Sequence, residues 1–382
     1  KIGKLFMLPY IILFVTSLLG VVQYDINRHN RTKKIAWYFL FCYVILLVGL
    51  RYRVGSDTLV YIWGYDRLPS WGELNWSEIW SYEFQPLYVL LCAIAKSISP
   101  DFTVLQILHA FIINSCIFYF IRKNTQYPFT GLFLYFFLYF FYFNTEILRE
   151  SLAIGIFLLN YKNLENKRWL RFYCGVFVSV LFHFSALILV FFPFIRLIKF
   201  NWKYLLVISL FCAFLISMRS YLSVLDTLDA LNARKIAHYS SQFEDGAMNA
   251  NWILYRVMQY TFFPILLLWL QKFCIKEQNQ WVSFVCVYAL LGIGVIVFQI
   301  IFARFTNYLM PFYALFLADI IGRGYGKSPS RKLFSTLSFA CIMIIYGYYY
   351  ISGDNWHIWN PYHSVFDPQT DEIREHRLDD YY

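Results

Sequence analysis

The stretch "IAWYFLFCYVILLVGLRYRVGSDTLVY" (Ile35–Tyr61) places charged residues directly after an apolar run. Its first sixteen residues carry no charge, and the next seven carry two arginines and an aspartate. About 20 apolar residues are enough for a helix to cross the hydrocarbon core of a bilayer. The stretch therefore predicts a membrane helix with a small ionic site where the helix leaves the membrane.

The composition extends this prediction to the whole chain. Of 382 residues, 59% are hydrophobic and 15% are charged, whereas a soluble domain is roughly one-quarter charged. Apolar runs recur along the chain without the alternating pattern of barrel strands, so their backbone groups are expected to be satisfied in helices. We predict an all-α polytopic membrane protein of 11–12 transmembrane helices, forming one bundle over residues 1–352 and followed by an outer tail, 353–382.

The positive charges predict the orientation of the bundle. The formal charge of +10 is concentrated in short loops such as 27–34 and 323–332. Basic loops of this kind face the cytoplasm, so nucleic-acid binding is not expected. The N-terminus, the loops 52–85 and 219–251 and the tail then lie outside. The predicted spans are 5–22, 35–51, 86–98, 102–121, 128–143, 146–161, 172–192, 204–218, 252–271, 281–302, 305–322 and 333–351.

The topology in the middle of the chain has two solutions. If every apolar run crosses the membrane, the loop 162–171 lies outside despite its four basic residues. Alternatively, the short run 86–98 is re-entrant, and a second irregularity near Pro193 restores the parity.

Several kinds of site are not expected. The eight cysteines have no metal-type spacing, and Gly-rich phosphate loops and the HExxH pattern are missing. We therefore predict no metal and no cofactor. The first apolar run shows no signal-peptide cleavage site and is interpreted as a retained span.

The first candidate site follows the 35–51 run. Arg51 and Arg53 leave the membrane, Gly55 permits a turn, and Asp57 and Tyr61 share a helical face. The plainer alternative is that the arginines extend to the interface and that Asp57 only caps a helix. The loop 52–85 is rich in Trp and Tyr and is expected to form short interfacial helices.

The second candidate is "FNTEILRESLAIGIF" (Phe143–Phe157), in which Arg149 and Glu150 precede an apolar run. An ionisable group at membrane depth costs about 3 kcal/mol or more unless it faces protein or water. The alternative is a structural pair between Arg149 and Glu146 within one helix.

The third and fourth candidates lie within later apolar runs. His183 has Ser179 one turn earlier as a hydrogen-bond partner, although a lone membrane histidine is more often a packed core residue. Arg304 is placed at an outer helix end with two neighbours on the same face, Asn307 and Tyr308. Asp319 lies about four turns deeper in the same predicted helix and is either functional or structurally paired.

These residue types indicate phosphate chemistry on a lipid-linked sugar. Arginine keeps its charge and offers forked donors that suit phosphate oxygens. A neighbouring acid or histidine can act as general base on a hydroxyl. We predict glycosyl transfer from a polyprenyl pyrophosphate donor. The catalytic candidates are Asp57, His183 and Glu150, and the substrate-binding candidates are Arg51, Arg53, Tyr61, Arg149, Arg304, Asn307 and Tyr308.

The chain also resembles a known family. Six motifs follow one another along the chain, "RYRVGSDTLVY" (51–61), "QPLYVLL" (85–91), "LRESLAIGIFLL" (148–159), "FHFSAL" (182–187), "RFTNYLMPF" (304–312) and "NPYHSVF" (360–366). Their order resembles that of the EpsG-type family, which is related to the Wzy polymerases of O-antigen and capsule. Glu150 departs from the pattern, in which glutamine often follows the arginine.

The resemblance implies a function and a location. A growing glycan would leave its undecaprenyl pyrophosphate and join a lipid-linked repeat unit on the outer face of the bacterial inner membrane. It implies a GT-C-like bundle and a catalytic acid in the first outer loop, where Asp57 lies. Related O-antigen ligases imply a histidine base, but theirs lies in a differently placed loop. A chain-length regulator and a flippase of the same pathway are implied partners.

Three other functions remain open. A flippase or transporter for lipid-linked oligosaccharide needs access from both faces, and a non-catalytic scaffold leaves its ionic residues in separate pairs. Another polyprenyl-phosphate-sugar-dependent GT-C glycosyltransferase is a closer alternative. A polymerase predicts that the arginines and Asp57 converge on one outward-facing cavity. The tail "DNWHIWNPYH" (354–363) either stacks on sugars or anchors at the interface.

Overall fold

The computed structural model describes residues 7–226, 250–272, 279–325, 328–351, 355–372 and 374–375. In these ranges the regular structure is helical, and β pairing is limited to isolated bridges at Ser364. The chain divides into two compact units, 1–192 with 317–382, and 193–316. The prediction of a single bundle over 1–352 stays a prediction.

The first half of the chain contains the first three candidate sites and is mostly helical. Its helices are α1 (Leu8–Gly20, continued by a π-helical turn, Val21–Ile26), α2 (Lys33–Gly49), α3 (Thr58–Arg67), α4 (Pro86–Ile98), α5 (Phe102–Asn124), α6 (Pro128–Leu138), a π-helical turn (Tyr142–Glu146), α7 (Leu148–Glu165) and α8 (Trp169–Val180).

The second half begins with a 3₁₀ segment. The elements are the 3₁₀ helix Phe184–Leu197, α9 (Trp202–Asp226), α10 (Ala250–Val257), a π-helical turn (Met258–Phe262), α11 (Phe263–Leu270), α12 (Val282–Val297), α13 (Gln299–Asn307), α14 (Met310–Gly324), α15 (Pro329–Ile351) and a 3₁₀ turn (Asn355–Ile358).

Local sequence signals explain where several helices begin. Pro9, Pro86 and Pro128 occupy first-turn positions, where proline loses no hydrogen bond and its fixed φ suits the helix. Asp101 caps α5, because its Oδ1 accepts from the backbone N–H of Thr103 at 2.8 Å.

Long apolar helices confirm an all-α polytopic membrane protein. Within the described ranges, three helical segments have both the length and the hydropathy for a crossing, namely Leu8–Ile26, Phe102–Asn124 and Ile253–Leu270. Ile301–Asn307 and Met310–Gly324 meet the same criteria only as a pair, with a bend of 51° between them. Many of the other helices are apolar and shorter.

α4 is too short to cross the membrane as a straight helix. Its 13 residues give a length of about 20 Å, against roughly 30 Å of hydrocarbon. Near its end, Lys96 Nζ donates to carbonyls at the end of α3, including Leu68 O at 2.6 Å. Near its start, the N–H of Leu87 donates to Leu181 O at 3.0 Å. The structure therefore favours the re-entrant alternative.

The re-entrant α4 removes the conflict over the basic loop 162–171. Four crossings then separate this loop from the basic loop 27–34, namely α2, α5, α6 together with the π-helical turn that ends at Glu146, and α7. An even number of crossings puts both loops on the same side, as the positive-inside rule requires.

Some predicted boundaries were wrong. The span 172–192 is interrupted, because α8 ends at Val180 and a 3₁₀ helix begins at Phe184. The span 305–322 is not one helix, because α13 ends at Asn307 and α14 begins at Met310.

The two predicted loops differ in how far they are described. The loop 52–85 contains α3 and two 3₁₀ turns, Trp71–Glu73 and Trp76–Glu78, as expected. In the loop 219–251, α9 continues to Asp226, and residues 227–249 lie outside the described residues.

Candidate functional site

The loop 51–57 has a backbone that depends on one glycine. Gly55 has φ +110°, and a Cβ at this position would lie 2.8 Å from both Thr145 Cβ and Thr58 Oγ1. Both the dihedral and the space therefore require glycine. Arg53, two residues earlier, is also left-handed, with φ +50°. The turn predicted from Gly55 is present.

Arg51 is enclosed by the loop that follows it. Its side chain is 2% exposed, Nε donates to Val54 O at 3.2 Å, and Nη1 donates to Val48 O at 2.5 Å. Nη2 has no acceptor among the described residues. The Glu146 carboxylate acts on this guanidinium electrostatically. In this conformation Arg51 supports the shape of the loop from inside.

Glu146 holds the other side of the loop. This carboxylate, 5% exposed, accepts from Ser56 Oγ and from the backbone N–H of Asp57, the latter at 3.1 Å. Its second oxygen is 2.7 Å from Thr145 Oγ1. Both oxygens are thus used as acceptors. The anticipated Glu146–Arg149 pair is replaced by these bonds, because the π-helical turn directs Glu146 toward the loop.

Asp57 and Arg149 are both close enough to Tyr61 to act on its hydroxyl. Asp57 is exposed at the start of α3, and no side-chain capping bond is formed there. Both charges act on the buried Tyr61 hydroxyl, whose pKa is raised mainly by burial. Arg149 is half-buried, its Nη1 donates to Gln85 Oε1 at 3.2 Å, and its guanidinium lies 4.6 Å from the Phe84 ring.

Arg149 retains much of its binding capacity. A guanidinium has five N–H donors, and its Nε finds no acceptor among the described residues. Stacking on Phe84 fixes its plane while leaving an edge for an anion. Glu150 differs from Arg149, since it is 1% exposed. Glu150 is therefore shielded from a substrate in this conformation.

A buried amide network supports the π-helical turn. Asn114 Nδ2 donates to Asn144 Oδ1 at 2.8 Å, and Tyr135 OH donates to Asn114 Oδ1 at 2.6 Å. Asn144 Nδ2 in turn donates to Phe140 O at 2.8 Å. These bonds fix the turn two residues before Glu146, so they position the carboxylate that holds the loop.

His183 lies close to the start of α4 but in a different hydrogen-bonding state from the one expected. Its Nδ1 accepts from the backbone N–H of Ser185 at 3.2 Å and lies 2.7 Å from Ser185 Oγ. The Ser179 hydroxyl bonds to Gly175 O, while Ser179 O accepts the His183 N–H. With Nδ1 as acceptor, we assign the proton to Nε2. The lone pair that a base needs is thus engaged.

The C-terminal tail forms the third side of the site. The N–H of Tyr52 donates to His363 O at 2.8 Å, and Arg51 and Ser364 form an antiparallel bridge. Trp359, 5% exposed, donates from Nε1 to Thr145 Oγ1 at 3.0 Å. In this conformation Trp359 thus neither stacks on a sugar nor anchors at the interface. Its distance from Thr145 along the chain hid this contact from sequence reasoning.

Two charged residues lock the tail to the loop. Arg374, 2% exposed, donates to three backbone carbonyls, including Arg53 O at 2.9 Å and Pro361 O at 2.7 Å. Glu375 accepts a bidentate pair from Arg53. Burial, and next the positive charge of Arg374, lower the pKa of His363. None of these three residues was among the predicted site residues.

Most of the fourth cluster belongs to the second unit, whereas Asp319 belongs to the first. Arg304 is half-buried in the last turn of α13, and two buried neighbours follow it, Asn307 and Tyr308. Their convergence with the other arginines stays a prediction. Asp319, which lies beyond the break after Asn307, accepts from Thr125 Oγ1 at 2.7 Å. This bond supports a structural role for Asp319.

The family model of the EpsG family matches residues 34–364. The match covers most of the chain and includes the loop 51–57, the π-helical turn and α7, so the chain belongs to the EpsG family. No curated protein and no solved structure matches it. Membership points to a glycan polymerase or a glycosyltransferase-like function in polysaccharide biosynthesis. Arg374 and Glu375 lie beyond the matched residues.

Proposed function

We propose that this EpsG-family protein is a polysaccharide polymerase of the bacterial inner membrane. It would transfer a growing glycan from undecaprenyl pyrophosphate to a lipid-linked repeat unit on the outer face. The observation that carries the proposal is the position of an exposed carboxylate, Asp57, and a half-buried guanidinium, Arg149, both close enough to Tyr61 to act on its hydroxyl. Arg149 Nε has no acceptor among the described residues.

Arg149 suits the leaving pyrophosphate. As the bond between the anomeric carbon and the pyrophosphate oxygen breaks, its electron pair passes to that oxygen. A guanidinium already oriented by Gln85 and Phe84 stabilises this charge without rearranging. Bidentate donors also match the geometry of phosphate oxygens.

Asp57 suits the general base. The acceptor hydroxyl forms the new bond to the anomeric carbon and gives up its proton to a carboxylate. Glu146 holds the backbone N–H of Asp57, so the position of Asp57 is fixed although its side chain is exposed. His183 is the second candidate and would need Nδ1 released from Ser185.

The other predicted residues receive supporting roles in the proposal. Arg51 shapes the loop from within, and Arg53 connects it to the tail. Tyr61 lies close to both Asp57 and Arg149. Arg304 and its two neighbours, Asn307 and Tyr308, are proposed to hold the lipid-linked substrate. Glu150 is proposed to contribute a negative charge to the electrostatic field next to Arg149. A flippase and a chain-length regulator of the same pathway are the proposed partners.

The proposal is tested in a strain that lacks its own polymerase but makes the repeat unit. Wild type is compared with Asp57→Asn and Arg149→Ala, and glycan length is measured on gels at matched expression. Lys162→Ala, an exposed change at the other end of α7, is the control. Wild type and the control should make a ladder, and the two site variants should leave single capped repeats.

Single capped repeats also separate polymerisation from flipping, because repeat units must already have reached the outer face. Ladders of normal length from both site variants would overturn the proposed site. A wild type that only changes the sidedness of labelled repeat units, without extending them, would identify a transporter.

A further inference from the structure

The segment 66–83, called here the tryptophan loop, exposes large aromatic rings on an acidic background. Trp71, Trp76 and Trp80 are 46%, 57% and 64% exposed. The segment holds four acidic residues and one basic residue, Arg67, a formal net charge of −3 in a chain of +10. The acidic residues are Asp66, Glu73, Glu78 and Glu83.

A groove lies where α3 meets this loop. It has a volume of about 380 Å³ and is lined by Trp63, Asp66 and Arg67. All three residues are exposed. A sugar ring presents C–H groups on its faces and hydroxyl groups at its edges. The Trp63 ring can pack against the C–H face, the Asp66 carboxylate can accept a hydrogen bond from a hydroxyl group, and the Arg67 guanidinium can donate one.

The groove stands on a fixed support. Lys96 Nζ donates to Tyr65 O and Asp66 O, at 3.2 and 2.9 Å, which holds the end of α3. The N–H of Trp71 donates to Ser97 Oγ at 2.9 Å, and the Trp71 and Trp76 rings pack edge to face. The aromatic surface is therefore already ordered, which lowers the entropy lost on binding.

The charge of the loop argues against a lipid surface as its occupant. Segments that lie on membranes combine Trp with Lys and Arg, because the basic residues are attracted to anionic lipids. Here acidic residues alternate with the tryptophans and repel anionic headgroups. The same carboxylates accept hydrogen bonds from hydroxyl groups and attract ammonium groups.

We propose that the groove and the tryptophan loop bind the glycan itself, with a preference for uncharged or amino-sugar residues over acidic ones. The inference rests on the proposed function and adds the class of substrate. α3 has ten residues, a length of about 15 Å, and runs from Asp57 to the groove. A short oligosaccharide can therefore span from the groove toward Asp57.

The test measures binding without turnover. The full-length protein in nanodiscs of zwitterionic lipid is titrated with oligosaccharides of two to four repeat units, prepared by acid hydrolysis of the polysaccharide from the cognate strain. Saturation-transfer NMR gives the dissociation constant. Trp63→Ala and Asp66→Asn are compared with Trp169→Ala, whose ring is 42% exposed against 40% for Trp63.

We expect Trp63→Ala to weaken binding about tenfold or more, which corresponds to about 1.4 kcal/mol or more, because aromatic anchors are enriched among the residues that carry most of the binding energy. Asp66→Asn should weaken binding less, and Trp169→Ala should leave it unchanged. Adding anionic lipid to the nanodiscs should not compete with the oligosaccharide. Equal binding by wild type and Trp63→Ala, or competition by anionic lipid that Trp63→Ala abolishes, would overturn the inference.

The outcome is separable from that of the proposed function. A wild type that makes polymer while Trp63→Ala binds normally overturns the inference alone. A wild type that binds the oligosaccharides through Trp63 but never extends them overturns the polymerase and leaves the glycan site standing.

Discussion

Two buried carboxylates of the first unit, Asp25 and Glu146, form similar hydrogen bonds. Asp25 is 3% exposed and Glu146 is 5% exposed, and each lies in a π-helical turn. Asp25 Oδ2 accepts from the N–H and the hydroxyl of Thr130 at 2.7 and 2.9 Å. Glu146 likewise accepts from a backbone N–H and from hydroxyl groups.

What the two carboxylates hold is different. Asp25 ties α1 to the regular start of α6. Glu146 holds a loop that contains two left-handed residues, Arg53 and Gly55, and that ends in the exposed Asp57. A buried acid alone therefore does not identify a functional site. A better indication is an exposed charged group on a backbone whose unusual conformation is held in place by several surrounding contacts.

The largest effect is expected from Gly55→Ala. A left-handed φ costs about 1–3 kcal/mol for other residues, and the added Cβ would also meet Thr145 Cβ at 2.8 Å. We expect loss of the glycan ladder and a lower melting temperature. Gly347→Ala is the matched control, because the nearest atom to its added Cβ, Phe137 Cζ, would lie at an ordinary contact distance of 3.4 Å. Equal ladders from the two variants would show that the loop shape is not required.

The next effect separates the two carboxylates directly. Gln at position 146 keeps one acceptor and turns its amide N–H₂ toward a donor, which displaces the loop. A displacement of about 1 Å can cost roughly 10²-fold in rate, so we expect Glu146→Gln to lose that much polymerisation.

Asp25→Asn is the partner experiment on the other carboxylate. Oδ2 makes both bonds to Thr130, and Oδ1 has no partner among the described residues. The amide can therefore replace the carboxylate without meeting a donor. Polymerisation rates should stay within about twofold of wild type, because substitutions that break no specific interaction usually have small effects. Equal losses of polymerisation rate in Asp25→Asn and Glu146→Gln would show that the two carboxylates do not differ in their importance for function.

A smaller effect is expected at the tail. Arg374→Ala removes the donor from three carbonyls, those of Arg53, His357 and Pro361. Hydrogen bonds to a charged group contribute about 1.5–3 kcal/mol each at most, and water can replace some of them. We expect a lower melting temperature and shorter ladders. Lys162→Ala serves as the control. An unchanged melting temperature would show that the tail is not tied to the loop.

The smallest effect is expected from the Arg53–Glu375 pair. Both side chains are about a quarter exposed, and such pairs typically contribute about 1 kcal/mol or less. A double-mutant cycle of Arg53→Ala and Glu375→Ala should give a coupling of this size in unfolding. If Arg53 also contacts substrate, the exchanged pair Arg53→Glu with Glu375→Arg will restore stability but not ladder length. Full recovery of both would limit Arg53 to a structural role.

The sequence predicted the loop that carries the site because its signals are local. A charge after an apolar run and a glycine before an acid are visible within a few residues, so Arg51, Arg53, Gly55 and Asp57 were predicted to form one site. Arg149 was predicted for the same reason. Glu146 was named only as a helical partner of Arg149, because helix spacing does not show that a π-helical turn redirects the side chain.

The sequence by itself determined that this is an all-α polytopic membrane protein. In lipid, the backbone N–H and C=O groups must form hydrogen bonds within the protein, which helices and closed β-barrels achieve, and the apolar runs lack the alternating pattern of barrel strands. It also determined which residues carry charge at the membrane boundary. Only the tertiary structure favoured the re-entrant alternative for α4 and showed that the tail contacts the loop 51–57. Hydrogen bonds such as that of Trp359 to Thr145 join residues 214 positions apart, and nothing in either segment alone specifies its partner.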